Sequence, residues 1–318
     1  MSQQTVFITG GSGYIGSVVT SFFVAQHYTV RALSRSENSD VKLQALGAIP
    51  VRGALTSHDT LTHEASSADI VIHIGDARMN DLHDLEKGYA INDAAIEALA
   101  KGIHGTQKKL ILTSGSLFTA PDPKGNETSE TSPKWAVNPF GRGMESSLPS
   151  LQKMGVNYNV IRLAPWVYGR AGSGVKLLLA GAATAGVMTY VEPETKYTTT
   201  VHVDDAAHLY LLAAQKGAAG EAYNASSETN VTFRELAEAM GKILDVPVLG
   251  LSFEDMEGRV GRFFATFLSS ENRASNAKAR SELGWKVGAE KGILEEIASG
   301  SYVQLVDELR KSKVTNDA

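Results

Sequence analysis

Val6-Phe7-Ile8-Thr9-Gly10-Gly11-Ser12-Gly13-Tyr14-Ile15-Gly16 decides how this chain folds. A β-branched and aromatic run ends at a Gly-x-x-Gly-x-x-Gly turn. Beyond the turn Ile15, Val18, Val19, Phe22 and Phe23 form an apolar stripe at helical spacing. Strand, glycines and helix in that order open a βαβ unit whose turn cradles a pyrophosphate. Gly10 permits the tight turn, Gly13 lets the backbone approach the phosphates, and Gly16 lets helix and strand pack closely. Tyr14 and Ile15 begin the helix, where unpaired N–H groups and partial positive charge favour an anion.

Outward from this unit, Thr5–Thr9, Thr29–Ser34, Ile49–Arg52, Ile70–Ile74, Lys109–Ser114 and Asn159–Leu163 read as strands with helical patterns between them. Near-continuous apolar runs predict a parallel sheet covered on both faces, the doubly wound α/β class. At the end of the second strand stands Leu33-Ser34-Arg35-Ser36, without the Asp or Glu that an NAD site places about 20 residues beyond the glycines. Arg35 is a bidentate partner for a 2′-phosphate, with Ser34 and Ser36 as donors, which favours NADP(H) over NAD. The plainer alternative is that Arg35 is a solvated surface charge.

Farther along, Phe118–Asn138 reads as a long surface loop beside the cleft, and a helix is expected over about Pro139–Met154. After Tyr168-Gly169-Arg170-Ala171-Gly172 the pattern becomes irregular. Thr232 with Glu235 predicts a capping box opening a helix over Phe233–Leu244, and Asp204 and Asp205 suit a helix N-terminus. Ile293–Leu309 reads as one closing amphipathic helix.

The 318 residues allow one large α/β domain or two packed closely together. A net charge of −5 provides no basic face for nucleic acid, and no apolar run reaches the roughly 18 residues a membrane helix needs. With no cysteine, disulfides and thiolate chemistry are excluded, and no secretory leader precedes the first strand, so the expected location is the cytoplasm. The histidines show no two-His spacing for a metal. Trp135, Trp166, Tyr190, Phe263, Phe264 and Phe267 suggest an apolar small-molecule substrate, with core packing the alternative for most of them.

The glycine motif, Val71-Ile72-His73-Ile74-Gly75, Leu112-Thr113-Ser114 and Asn138-Pro139-Phe140-Gly141-Arg142 resemble segments of the short-chain dehydrogenase/reductase superfamily, in its extended branch of epimerases and dehydratases. Arg162-Leu163-Ala164-Pro165-Trp166-Val167-Tyr168-Gly169, Val201-His202-Val203-Asp204-Asp205 and Leu283-Gly284-Trp285 are similar to further family segments. The resemblance implies a Rossmann domain (1–165 with about 198–224) and a smaller α/β substrate-binding domain (166–197 and 225–318). It also implies cofactor contacts at Leu55, Ile74, Gly75, Thr113, Pro165 and Val167, besides the glycine motif and 34–36. A homodimer through helices around 84–102 and 139–154 would follow the family habit.

Family members use a Ser, a Tyr and a Lys one helical turn beyond it as a proton relay. Here Gly115, Phe140 and Met144 occupy those positions, so the relay is lost, as in atypical members of the superfamily. Ser114 and Ser116 flank the vacant Ser position, Tyr168 is a candidate proton donor or a core residue, and Arg142 is a candidate carbonyl polariser or a solvated charge. His73 reads as a satisfied core histidine and His202 as structural. Three readings follow: an NADP(H)-dependent reductase of a small carbonyl, enone or imine, a non-redox isomerase or cyclase, or a cofactor-binding sensor.

Overall fold

A computed structural model describes residues 3–80 and 84–316. Its first half alternates β1 (Thr5–Thr9), α1 (Tyr14–Ala25), β2 (Thr29–Ser34), α2 (Glu37–Ala45), β3 (Ile49–Arg52), α3 (His58–Ser67), β4 (Ile70–His73), α4 (Leu85–Ile103) and β5 (Lys109–Gly115). Then come α5 (Leu148–Lys153), β6 (Asn157–Leu163), β7 (Trp166–Tyr168), α6 (Ser173–Ala185), β8 (Met188–Val191), β9 (Tyr197–His202) and α7 (Val203–Lys216). The chain closes with β10 (Ala222–Ala225), β11 (Glu228–Thr232), α8 (Phe233–Leu244), β12 (Val248–Leu251), α9 (Phe253–Phe267), α10 (Ala277–Leu283), α11 (Ile293–Ser299) and α12 (Tyr302–Asn316). Among the described residues no helix is long and apolar enough to cross a membrane.

The main sheet has seven parallel strands in the order β10-β6-β5-β4-β1-β2-β3. Side chains alternate across it, so Val6 and Ile8 enter the layer beneath α1 and α7 while Phe7 enters the layer beneath α3 and α4. Strand order reverses between β1 and β4, and a doubly wound sheet opens its ligand crevice at such a point, beyond the carboxyl ends of the strands. A third core joins Trp166, Tyr168, Val175 and Leu179 to side chains of α8, α11 and α12. Sheets β11-β9-β7 and β12-β8 complete the molecule.

Several expectations need correction. No helix starts at Pro139, because Gly141 (φ 82°) and Gly143 (φ 66°) hold left-handed backbone there; a 3₁₀ turn at Met144–Ser147 leads into α5 instead. The segment after Gly172 is regular, forming α6 and β8. The closing helix breaks at Gly300, where the Glu296 carboxylate accepts from Ser301 N (2.9 Å) and Oγ (2.7 Å). Strand β9, assigned to the dinucleotide half, pairs with β7 and β11, whereas β10 joins the main sheet. The capping box of Thr232 and Glu235 is present.

A buried ion pair ties the segment before α5 to β6. Arg162 Nε and Nη2 donate to Glu145 Oε1 and Oε2 at 2.7 and 2.8 Å, with the side chains 5% and 2% exposed. Removing one partner leaves the other charge buried, so Glu145→Ala should cost about 3–5 kcal/mol in urea unfolding. The apolar double substitution E145L/R162M should recover most of that loss. A single-variant loss below about 1 kcal/mol would contradict this account.

Candidate functional site

The site is built on close backbone contact. A Cβ at Gly10 (φ 74°) would lie 2.7 Å from Gly75 N, and one at Gly16 would lie 2.0 Å from Gly10 O. No other residue fits either position without moving main chain. Gly13 N donates to Gly10 O at 3.0 Å to close the turn, and no side chain caps α1. The first N–H groups of α1 therefore lack intrahelical acceptors and stand at the positive end of its dipole. This is a cradle of the right chemistry for a diphosphate.

A cleft of about 380 Å³ opens beside the turn, bordered by Ile15, Ile74 and Gly75. Its floor is the end of β5 with Thr113, Ser114, Gly115 and Ser116, and Pro165 and Val167 close another side. Leu117, Met144 and Phe267 make its remaining walls apolar. Leu55 packs against Gly75, within 3.3 Å of where a Cβ there would stand. At the end of β2, Arg35 is exposed, whereas Ser34 Oγ donates to Ser36 O (3.2 Å) and Ser36 Oγ caps α2 by accepting from Ser39 N (3.3 Å).

The fold does not bring every candidate to this cleft. Tyr168 is buried away from it, its hydroxyl donating to Lys291 O at 2.9 Å; burial, with Glu228 and Asp205 nearby, pushes the phenol well above its ordinary range. Arg142 pairs with Asp93 at 2.5 Å and lies over the Tyr89 ring at 5.0 Å, outside the cleft. Tyr14 directs its hydroxyl to Gly169 O at 2.8 Å. Ser116 lines the cleft, but its hydroxyl donates to Asn272 Oδ1 at 2.8 Å. His202 caps α7 through Nδ1.

The three positions that the resemblance matches to the proton relay differ in their surroundings. Gly115 is extended (φ −122°), and a Cβ there would meet nothing nearer than Leu163 O at 3.9 Å, so packing does not demand glycine. Met144 is buried against the cleft. Phe140 sits on a turn whose carbonyl accepts from Tyr89 Oη (2.8 Å), and its ring meets Phe263 edge-on at 6.0 Å. That aromatic hook fastens the turn to α9, and Phe140 does not line the cleft.

Two residues absent from the sequence reading contribute the charge lining the cleft, Asp76 and Arg78. Arg78 Nε donates to both Asp76 oxygens (3.0 Å each) and Nη2 donates to Oδ2 (2.6 Å). Buried Asn92 donates to Asp76 Oδ1 and accepts from Ala77 N, both at 2.8 Å. Burial alone would raise the Asp76 carboxyl, but the bonds from Arg78 and Asn92 outweigh it and hold the group below its ordinary range. A charged pair just beyond the buried strand β4 and Gly75 was the signal available in the sequence. Ser173 also lines the cleft and holds φ 71°, in a turn clasped by Tyr302, whose hydroxyl accepts from Gly169 N (2.9 Å) and donates to Gly172 O (3.0 Å). Among the described residues no three His, Cys, Asp or Glu side chains gather as a metal site would require.

Residues 6–226 match the sequence model of the NAD dependent epimerase/dehydratase family. The chain is 32% identical to an uncharacterized protein of Schizosaccharomyces pombe over 93% of this chain and 99% of that one. It is 29% identical to the 4-hydroxy-2-methyl-3-oxo-4-farnesyl-3,4-dihydroquinoline-1-oxide ketoreductase of Stigmatella aurantiaca, over 68% of this chain and 66% of that protein. UDP-glucose 4-epimerase of Thermotoga maritima, solved with UDP-glucose, superposes with a TM-score of 0.75 at 21% identity, covering 97% of this chain and 99% of that one.

Two outcomes are expected. Buried His73 shares a 2.8 Å hydrogen bond between Nδ1 and Thr9 Oγ1, and its Nε2 has no partner among the described residues. Desolvation lowers its pKa to about 4, so the unfolded chain takes up a proton first as pH falls below about 6.5. Stability should thus be full above that pH and fall by up to about 3 kcal/mol on the way to pH 4. Unfolding curves of wild type and His73→Asn should diverge over this window; parallel curves would refute the assignment. Phe140→Tyr, for its part, should leave carbonyl reduction unchanged within about threefold, because its hydroxyl would point toward α9 rather than the cleft; a gain of about 10²-fold or more would contradict that placement.

Proposed function

Because the chain belongs to the NAD-dependent epimerase/dehydratase family, we propose that it is an NADP(H)-dependent oxidoreductase that reduces a small apolar carbonyl, enone or imine without a side-chain acid. The observation that carries this reading is the cleft's chemistry. It adjoins a diphosphate cradle, its walls are largely apolar, and its described lining lacks a group that titrates near neutrality. Gly10, Gly13 and Gly16 with the first N–H groups of α1 hold the diphosphate, and Arg35 pairs with a 2′-phosphate. Ile74, Gly75, Thr113, Pro165 and Val167 border the nicotinamide half, with Ser114 beside the substrate. The halves are 1–165 with 203–225 for cofactor and the remainder for substrate. When bound, the cofactor supplies a hydride.

For the protein's part, reduction needs the acceptor held at near-attack distance in a site that excludes water from the reacting face. Leu117, Met144 and Phe267 perform that task. Lack of a positioned acid costs on the order of 10²–10⁴ in rate, which an imine or activated alkene tolerates best. The ketoreductase relative, whose named substrate carries a farnesyl group, supports an apolar acceptor.

The test is transfer of label from 4-deuterated NADPH to aldehydes, ketones, enones and imines. Deuterium in the product is expected; product without label would mean isomerase or cyclase chemistry, and tight binding without turnover on any acceptor would mean a sensor. Asp76 is held ionised and Arg78 protonated through the neutral range, burial opposing the Arg78 charge and the bonds to Asp76 sustaining it. kcat/KM should therefore stay level within about threefold from about pH 5 to 9 for a non-titrating substrate. A bell-shaped profile would reveal an acid that this reading excludes. Arg35→Ala should weaken NADPH binding by about tenfold or more and leave NADH binding unchanged.

A further inference from the structure

Resting on that reading, we propose that Arg78 receives the negative charge that develops on the oxygen of the substrate's carbonyl, in place of the hydroxyls that relay-bearing relatives use. As the carbonyl carbon gains a hydride from a reduced nicotinamide, the π pair of the C=O bond moves onto oxygen. That oxygen takes a proton from water, leaving hydroxide, and the nicotinamide is left oxidised. What the protein must supply is a fixed positive group at the oxygen, and Arg78 is the cation among the described residues that line the cleft.

Its setting is that of a preorganised electrostatic group. The Nε–Nη2 edge is held by Asp76 through three contacts of 2.6–3.0 Å, which directs Nη1 along the opposite edge of the planar fork. The guanidinium lies over the Tyr89 ring at 5.3 Å. Its backbone is pinned against α4, where a Cβ at Gly88 would come within 2.7 Å of Arg78 Cα. Buried Asn92 bonds both Asp76 and the intervening Ala77, so carboxylate, loop and guanidinium form one rigid unit. A charge held this way needs no reorganisation as the oxyanion forms. Two of the hydroxyls in the described lining are committed elsewhere, Thr113 to Tyr210 at 2.7 Å and Ser116 to Asn272, while Ser114 and Ser173 carry neutral hydroxyls, weaker partners for an oxyanion than a guanidinium.

Three variants and two readouts test this: Arg78→Ala, Arg78→Lys and the double substitution D76N/R78M, which leaves no unpaired charge if the single variants unfold. For the acceptor that wild type reduces best, kcat should fall about 10²–10³-fold in R78A and D76N/R78M, with NADPH affinity from fluorescence titration unchanged within about threefold. Millimolar guanidinium should restore part of the R78A loss. The second readout needs no turnover: 4-nitrophenol bound to wild type should ionise at lower pH than in solution, seen as phenolate absorbance, and D76N/R78M should abolish that shift. The proposal is overturned if kcat changes by less than about fivefold, if NADPH affinity falls while kcat is kept, or if wild type leaves the phenol's ionisation unaltered. Wild type that transfers label while these variants match it defeats Arg78 alone. Wild type that transfers no label to any acceptor defeats the reductase reading and this proposal together.

Discussion

Main-chain contact among three glycines sets everything else. Gly10 against Gly75, and Gly16 against Gly10, let the tips of β1 and β4 and the start of α1 meet with no side chain between them. The contact falls where strand order reverses, so the unpaired N–H groups of α1 open into the crevice that the sheet topology creates. Thr9 reinforces it from behind, sharing its hydroxyl with His73 Nδ1 and accepting from Gly75 N at 3.3 Å. A glycine turn alone is a bend; this one is a bend braced by a neighbouring strand.

The smaller part of the molecule is tied to the same place. Tyr14, in the first turn of α1, donates across to Gly169, and Tyr302 clasps Gly169 and Gly172 from α12. The turn they hold carries positive φ at Arg170, Ala171 and Ser173, backbone that non-glycine residues adopt at a cost of about 1–3 kcal/mol each when the surroundings enforce it. Ser173 is thereby delivered to the cleft. The phenol of Tyr14 is spent on this tie, which leaves its main chain at the start of α1 as the part beside the cradle.

Charge is distributed unevenly around the cleft. The Arg162–Glu145 pair is fully interior and fixes Met144 against the sheet, whereas the Asp76–Arg78 pair is only partly covered and faces the cavity. One pair shapes the wall and the other is part of it. At Phe140 and Met144 this chain has an aromatic hook to α9 and a buried thioether, while the charged groups lining the cleft come from the β4–α4 loop.

Features encoded locally were legible in the amino-acid order. The glycine turn, the six leading strands to within two residues, and the capping box of α8 depend on propensity, period and short-range bonds, which adjacent residues determine. The family resemblance likewise located most of the cleft's lining, since Ile74, Gly75, Thr113, Ser114 and Pro165 stand at strand ends. Tertiary structure alone decided where several side chains spend their polar atoms. Tyr168 turned to Lys291, Arg142 to Asp93, and Ser116 to Asn272, partners 123, 49 and 156 residues away. No local rule reports such a distant partner, and for Tyr168 and Arg142 that partner holds the polar group outside the cleft. Asp76 and Arg78 were hidden for the same reason: what separates them from ordinary loop charges is the packing of α4 beneath them, which exists only once the chain has folded.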